Sequence, residues 1–586
     1  MTKETNMHVH KPPSVAKAFL RSPLAAAIAL LATASSAADF ETSDPELKIR
    51  WDNTVKYSAA ARTSGPSAEL QGSVNEDDGN RNFRRGLISN RLDWLSELDV
   101  QRGNFGGRVS AAGWYDAAYN GSNDNPGFAG GAAPNQISVP YNRFTDAARD
   151  IHGRNAEVLD AFAFGRFDLG GRRASVRLGQ HSIQWGESLF FGSNAIAGAQ
   201  SPFDAVKLLS VPNTTFKEAV RPVPQISGQI ELAPQVTLGA YYQFRWLRNR
   251  LPAAGSYFST VDMNPEGGEQ ILLPQVAQGG IFRDGNITRA LDQRAKNSGQ
   301  GGLQLRFSHD ETDYGAYLVR FHSKNFQQVV NLGRRSVLFA GPAGCVVPGS
   351  FPTGPGSCGL VAPQAYQLAW HEGITALGLS ASRTFGAVNL AVEASVRHNQ
   401  DLASTNSANT QALGGPATNN SNGPAYAVGN TVHVNVSTLS QLPSTPLWRE
   451  ATFAGEIAWN RVLKVTQNPG AVDPNATRDA VSMRFVLEPT YRQVVSGLDI
   501  GIPIGLGYTP KGSRSMALGP AGMPASGGGD LTIGVNGSYL DVWRFSLTYT
   551  HYFGPQGNFL DENNHFTYRQ AMKDRNFVAL SVRRTF

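Results

Sequence analysis

Side chains that could do covalent chemistry are present but never in a working arrangement. His181, His309, His322, His371, His398 and His551 are scattered, without HExxH spacing, and no G-x-S-x-G elbow occurs. "GLGYTPKGS" (505–513) has glycines, a lysine and a serine, but not the spacing of a phosphate-binding loop. A Ser/His/acid hydrolase would have to assemble its cluster through the fold, and it is the weakest alternative. No cofactor and no metal site is expected.

The only cysteines, Cys345 and Cys358, flank a Gly/Pro-rich stretch. In an exported chain this spacing predicts one loop-closing disulfide rather than a zinc site.

Two further groups could act without catalysis. The first is the stretch from Gln184 to Lys217, too apolar for a solvated loop and placed directly after a strand. It predicts a segment folded into a pore and narrowing it, with Trp185, Leu189, Phe190 and Phe191 as apolar surface and Glu187 and Lys207 or Lys217 as polar groups facing the lumen. A lid packed over a barrel mouth is the competing reading. The second group is charged residues on strand faces: Arg91, Asp93, Glu97, Asp99, Arg177, Arg245 and Arg397. Rings of such charge select solutes, or they balance one another across a wet interior.

Both groups need a barrel to position them. "LKIRWDNTVKYSA" sets Leu47, Ile49, Trp51, Val55, Tyr57 and Ala59 against Lys48, Arg50, Asp52, Thr54, Lys56 and Ser58, with Asn53 as the single break. "AVNLAVEASVRHN" opposes Val388, Leu390, Val392 and Val396 to Asn389, Glu393, Ser395 and Arg397. A soluble sandwich also alternates, so spacing decides. Tight turns such as "LGGR" and "FGAV" alternate with long connections, and aromatics gather at strand ends. That pattern describes an all-β, transmembrane antiparallel β-barrel with long extracellular loops. Glycine, at 62 of 586 residues, exceeds the common ~7% and suits a turn-rich chain.

Seventeen strands are marked directly. A barrel with both ends in the periplasm needs an even number, and the up/down senses clash between 400 and 478. "TVHVNV", Thr431 to Val436, repairs the clash. Eighteen strands are therefore expected; sixteen remain if the weak 226–232 segment and a neighbour are not membrane strands.

The chain ends "FVALSVRRTF", inside an alternating strand. A closed barrel must pair its last strand with its first, and Phe586 resembles the C-terminal signal read by outer-membrane assembly machinery. Arg584 departs from that signal. Residues 1–37 read as a secretory signal peptide, with Lys3, Lys11, Lys17 and Arg21 before the short apolar run "LAAAIALLA". Removing them takes four basic and one acidic residue, which lowers the formal charge from +6 to +3. Basicity is thus no argument for nucleic acid. Residues 38–586 are expected to form the barrel, and no plug domain precedes Leu47.

"DDGNRNF" (77–83), "SNRLDWLSELD" (89–99), "GWYDAAY" (113–119), "LGQHSIQWGESLFFG" (178–192), "AQSPFDAVKL" (199–208), "LPAAGSYFSTVD" (251–262) and "LTYTHYFG" (547–554) carry a resemblance over the mature chain. Together they are similar to a proteobacterial outer-membrane porin-like family catalogued as domain of unknown function 1302. The resemblance implies a large barrel, suspected of moving hydrophobic molecules such as lipids or steroids, and supplies no catalytic residues. The expected function is passage or exchange of a small hydrophobic molecule across the outer membrane, passive or driven by periplasmic or inner-membrane partners. A general porin for polar solutes and a structural or adhesive barrel without cargo are the alternatives.

Overall fold

The computed structural model describes residues 38–40, 42–127, 134–273, 286–338, 350–354, 357–510 and 525–586. The expected signal peptide, and Cys345 of the expected disulfide, lie outside the described residues. Cys358 contributes its backbone to a strand at 357–369.

The chain closes into an antiparallel barrel of eighteen strands. They are β1 Leu47–Arg62, β2 Gly86–Arg102, β3 Phe105–Asp116, β4 Arg154–Asp168, β5 Arg173–His181 and β6 Val223–Ala233. Next come β7 Val236–Gln243, β8 Gln300–His309, β9 Thr312–Phe321, β10 Ile374–Phe385, β11 Val388–Asp401 and β12 Val428–Leu442. The last six are β13 Glu450–Gln467, β14 Asp479–Val495, β15 Leu498–Thr509, β16 Gly528–Tyr539, β17 Trp543–Phe553 and β18 Phe577–Thr585. Pro503 lacks an N–H and interrupts β15, yet both halves pair with β14 and β16.

The weak 226–232 segment is a full strand, β6, hydrogen-bonded to β5 and β7. "TVHVNV" lies within β12, between β11 and β13. Parity was the right guide.

The barrel is apolar outside and polar inside. On β11, Val392 and Val396 are 41% and 47% exposed, while the alternate Glu393 and Arg397 are 2% and 6% exposed. A soluble sheet protein shows the reverse, so the exposed stripe needs lipid to cover it. Phe105, Phe167, Phe307, Phe385 and Tyr539 are exposed near one rim, where amphipathic and aromatic rings sit at headgroup depth. Among the described residues no helix is long and apolar enough to cross a membrane.

The two rims differ. Tight turns join alternate strand pairs at one rim; Asp310 and Glu311, both with positive φ, make the two-residue turn between β8 and β9. Long connections emerge at the other rim. The described residues of those around 63–85, 117–153, 244–299 and 554–576 pack into a cap centred on Phe83, Tyr119, Tyr257 and Phe577. A second sheet, built on strands Gln327–Leu338 and Ser357–Ala369, rises beyond β9 and β10 on the same side.

Closure uses the final residue. β18 pairs with β1 from Thr54↔Thr585 to Arg62↔Phe577. Phe586 then exchanges two backbone hydrogen bonds of 2.8 Å with Asn53. Beyond that point the short strand Ala38–Phe40 takes the place beside Ile49–Trp51 that β18 leaves uncovered. Among the described residues, β1 is thus paired on this side along Ile49–Trp51 and Asn53–Arg62, as an edge near lipid requires.

Candidate functional site: a segment held across the lumen

The connection between β5 and β6, residues 182–222, runs across the inside of the barrel. Apart from short helices at Ala197–Gln200, Ala205–Ser210 and Phe216–Ala219, its backbone is irregular. Irregular backbone within a barrel must find partners for its N–H and C=O groups, because buried unpaired ones are costly. Three adjacent strands, β11, β12 and β13, supply them.

Glu456 on β13 accepts hydrogen bonds from three consecutive N–H groups: Leu189 (3.0 Å), Phe190 (2.5 Å) and Phe191 (3.0 Å). Glu393 on β11 accepts from the N–H of Glu187 (2.8 Å) and of Ile196 (2.5 Å). Arg397, four residues on and on the same face, donates to the carbonyl oxygens of Ser193 (3.1 Å), Asn194 (2.9 Å) and Ala195 (2.9 Å). The Asn194 side chain completes the attachment, donating to Asn435 Oδ1 at 2.8 Å and lying 2.8 Å from His433 Nδ1. Asn435 in turn donates to Glu456 at 2.7 Å. Hydrogen bonds to an ionised carboxylate or from a guanidinium such as that of Arg397 are about twice as strong as neutral ones. Gly186, at φ +92°, makes the approach possible: a Cβ there would lie 2.1 Å from the Glu393 carboxylate.

The segment also meets the rest of the wall. Trp185 packs edge-on to Tyr241 of β7, with ring centroids 5.0 Å apart, and stacks with Tyr317 of β9. Lys324 Nζ, just past β9, donates to the carbonyl of Ala199 at 3.0 Å. Asp204 pairs with Arg250 at 3.0 Å, and Arg250 also pairs with Glu157 on β4. Asn213 accepts from Thr532 on β16 at 3.0 Å and from Arg484 on β14. Contacts on so many sides mean that the segment spans the bore.

The residues singled out by sequence form two groups, with Lys207, Arg177 and Arg245 outside them. Trp185, Glu187, Phe190, Phe191 and Arg397 come together at this attachment. Burial pushes the Glu187 carboxyl above its ordinary range, tempered by the charge of Arg306. Lys207 is exposed on the same segment, its Nζ donating to the Glu218 carbonyl at 2.7 Å. A second, separate group balances itself. Arg91 pairs with Asp93 at 2.7 Å and sits over the Trp114 ring, Lys56 also reaches Asp93, and Arg108 pairs with Glu97 and with Asp99 (3.4 Å). Arg177 stands apart, over the ring of Phe162. Arg245 requires a correction. The strand expected over 236–247 stops at Gln243, and Arg245 lies exposed on the bend that follows rather than on an inward face. Trp246 has left the strand to bury itself against Trp370 in the second sheet's core.

Sequence reasoning passed over Glu456, Asn435, His433 and Asn194. The available signal was Glu393 and Arg397 on one inward face of β11, an ion-rich stripe opposite an apolar segment.

Above the attachment, between the segment and the cap, lies a cavity of about 720 Å³. Phe190, Phe203 and Leu208 line it from the segment; Phe258, Met263 and Phe559 line it from the cap. Arg484, Asp530 and Thr532 add a polar strip from the barrel wall.

Solved structures similar to this chain include OccAB4 of Acinetobacter baumannii, at 8% identity, covering 93% of this chain and 99% of that one, with a TM-score of 0.42. OpdK of Pseudomonas aeruginosa with vanillate is similar at 9% identity, with 92% and 98% covered and a TM-score of 0.39. The outer membrane channel DcaP of Acinetobacter baumannii is similar at 9% identity, with 94% and 100% covered and a TM-score of 0.36. No curated protein matches the sequence. A family model described as protein of unknown function (DUF1302) matches residues 20–586, and the chain belongs to that family.

Proposed function

We propose that this protein is an outer-membrane channel whose bore is closed by residues 182–222, and which passes or exchanges a small, largely apolar molecule. The observation that carries the reading is the position of the apolar cavity directly on the segment held by Glu393, Arg397 and Glu456. Apolar cavities of ≈300–1,000 Å³ with a few convergent polar groups are typical of small-molecule sites. An eighteen-stranded barrel without the segment could enclose an aqueous channel, so the segment sets what passes. Cargo would enter the cavity from the long-connection rim, which we assign to the cell exterior. It would leave toward the short-turn rim when the segment yields, passively or with periplasmic partners.

The polar strip around Arg484 and Asp530 favours a second reading, a porin for polar solutes that slip past the segment. Uptake of labelled sterol, fatty acid and sugar by cells with and without the protein separates the two. Dependence of sterol or fatty acid uptake supports the apolar cargo; dependence of sugar uptake alone refutes it. Conductance in planar bilayers, before and after deletion of residues 185–209, tests occlusion: low conductance should rise sharply.

A further inference from the structure

Three buried carboxylates meet in the cap, away from the lumen attachment. Asp77 and Asp78 open the turn of helix Asp78–Arg81, and Asp262 comes from the 244–299 connection. They are at most 4% exposed, and each offers an oxygen within 4.8 Å of the others'. The two chain stretches are "DDGNRNF" and "LPAAGSYFSTVD", both singled out by sequence, and the three carboxylates have no part in the transport reading.

Each of the three has one oxygen occupied and one idle. Asp77 Oδ2 accepts from Arg81, Asp78 Oδ2 from the N–H of Asn135 at 3.0 Å, and Asp262 Oδ2 from the N–H of Asp78 at 3.4 Å. The Oδ1 atoms of all three are buried without a hydrogen-bond partner. So is Oδ1 of Asn135, which is only 2% exposed and belongs to the residue touching Asp78. Four buried, unpartnered oxygens in one neighbourhood are unusual, because such groups are nearly always satisfied.

Nearby cations do not resolve the charge. Arg81 pairs with Asp77, and Arg62 pairs with Asp574 at 2.9 Å. Arg575, which acts on Asp262 electrostatically, donates to the carbonyl oxygens of Tyr257 and Ser259. Among the described residues neither Asp78 nor Asp262 makes an ion pair. Glu76, the next acid, is satisfied by the N–H groups of Phe559 and Leu560. Fully ionised, the three carboxylates carry three negative charges against the guanidiniums of Arg81 and, through space, Arg575, so net negative charge remains for a cation to offset. Hard carboxylate oxygen donors match Ca²⁺ in preference to softer metals.

We infer that Asp77, Asp78 and Asp262 bind a structural Ca²⁺ that ties the connection between β1 and β2 to that between β7 and β8, fixing the cap. The sequence alone suggests no metal, because the ligands are separated by almost two hundred residues.

The test uses the full mature chain refolded in detergent, free of lipopolysaccharide, and stripped with chelator. Calcium titration should show one site per chain, with a dissociation constant at or below about 10 µM, as for other carboxylate-rich sites. The D78N/D262N double variant should weaken it at least tenfold while keeping the heat-modifiable migration of a folded barrel. If the variant does not fold, the wild-type chain still decides. Its cap should be cleaved by trypsin several-fold more slowly with Ca²⁺ than with chelator. Absence of a calcium site in the wild type, unchanged binding in the folded variant, or cleavage indifferent to Ca²⁺ would each overturn the inference.

Discussion

The Glu456 carboxylate lies 2.5 Å from the N–H of Phe190, joining positions 266 residues apart across the barrel interior. With Leu189 and Phe191 it forms one acceptor for three backbone donors. Replacing Glu456 by Ala leaves those donors buried and unpaired, at about 1–3 kcal/mol each before relaxation. A net loss of roughly 3 kcal/mol raises the population of the released segment by about 100-fold. Openings per second in planar bilayers should rise accordingly. A folded E456A barrel with unchanged gating would remove Glu456 from this role.

Lys324 predicts a pH dependence. Burial, and then the charge of Arg397, bring its ammonium down to about 7 from its ordinary 10.5. Once the segment is released the amine is hydrated and recovers its ordinary value. Between about 7 and 10.5 the released state binds more protons, so raising pH through that window favours the seated segment. Below pH 7 both states are protonated and the dependence vanishes. Opening frequency should fall as pH rises from 7 to 10, and Lys324→Met should flatten the profile.

Leu208 tests the cargo. It lines the cavity from the helix Ala205–Ser210. A Leu208→Glu substitution places a charge where an apolar molecule must sit, at a cost of about 2 kcal/mol or more. Fatty acid uptake should drop at least tenfold, with sugar uptake unchanged. Equal loss of both would favour a general pore.

Phe586 tests the seam. Its deletion leaves the N–H and C=O of Asn53 without their partners, in a setting where unpaired edge groups are expensive. We expect the amount of folded protein in the outer membrane to fall several-fold, read by heat-modifiable migration of membrane fractions. Full recovery of the truncated chain would show that the last residue is dispensable.

The strands were legible because lipid on one side and polar groups on the other impose a period of two on every one of them. Val392 against Glu393 is enough to orient β11. Even the doubtful 226–232 stretch obeyed parity, since a closed antiparallel barrel cannot skip a strand. The site was less legible. An inward Glu456 or Asn435 has the same sequence signature whether it faces water or holds a folded segment, and its partners lie far along the chain. The cap was hidden for another reason: residues such as Asp78 and Asp262 sit in connections with no periodicity to read. Arg245 was misplaced because β7 ends before it, where Trp246 turns to bury itself in the second sheet.

Residues 182–222 follow β5, yet their principal holders stand on β11, β12 and β13. During synthesis order the segment exists long before its anchors do. It cannot be threaded into a finished cylinder at no cost, because its apolar residues would have to pass a polar mouth. We expect the later strands to close around it, so that it serves as the mandrel on which an otherwise hollow cylinder is wound. If the strands close around the segment, shortening it should slow barrel assembly as well as open the bore.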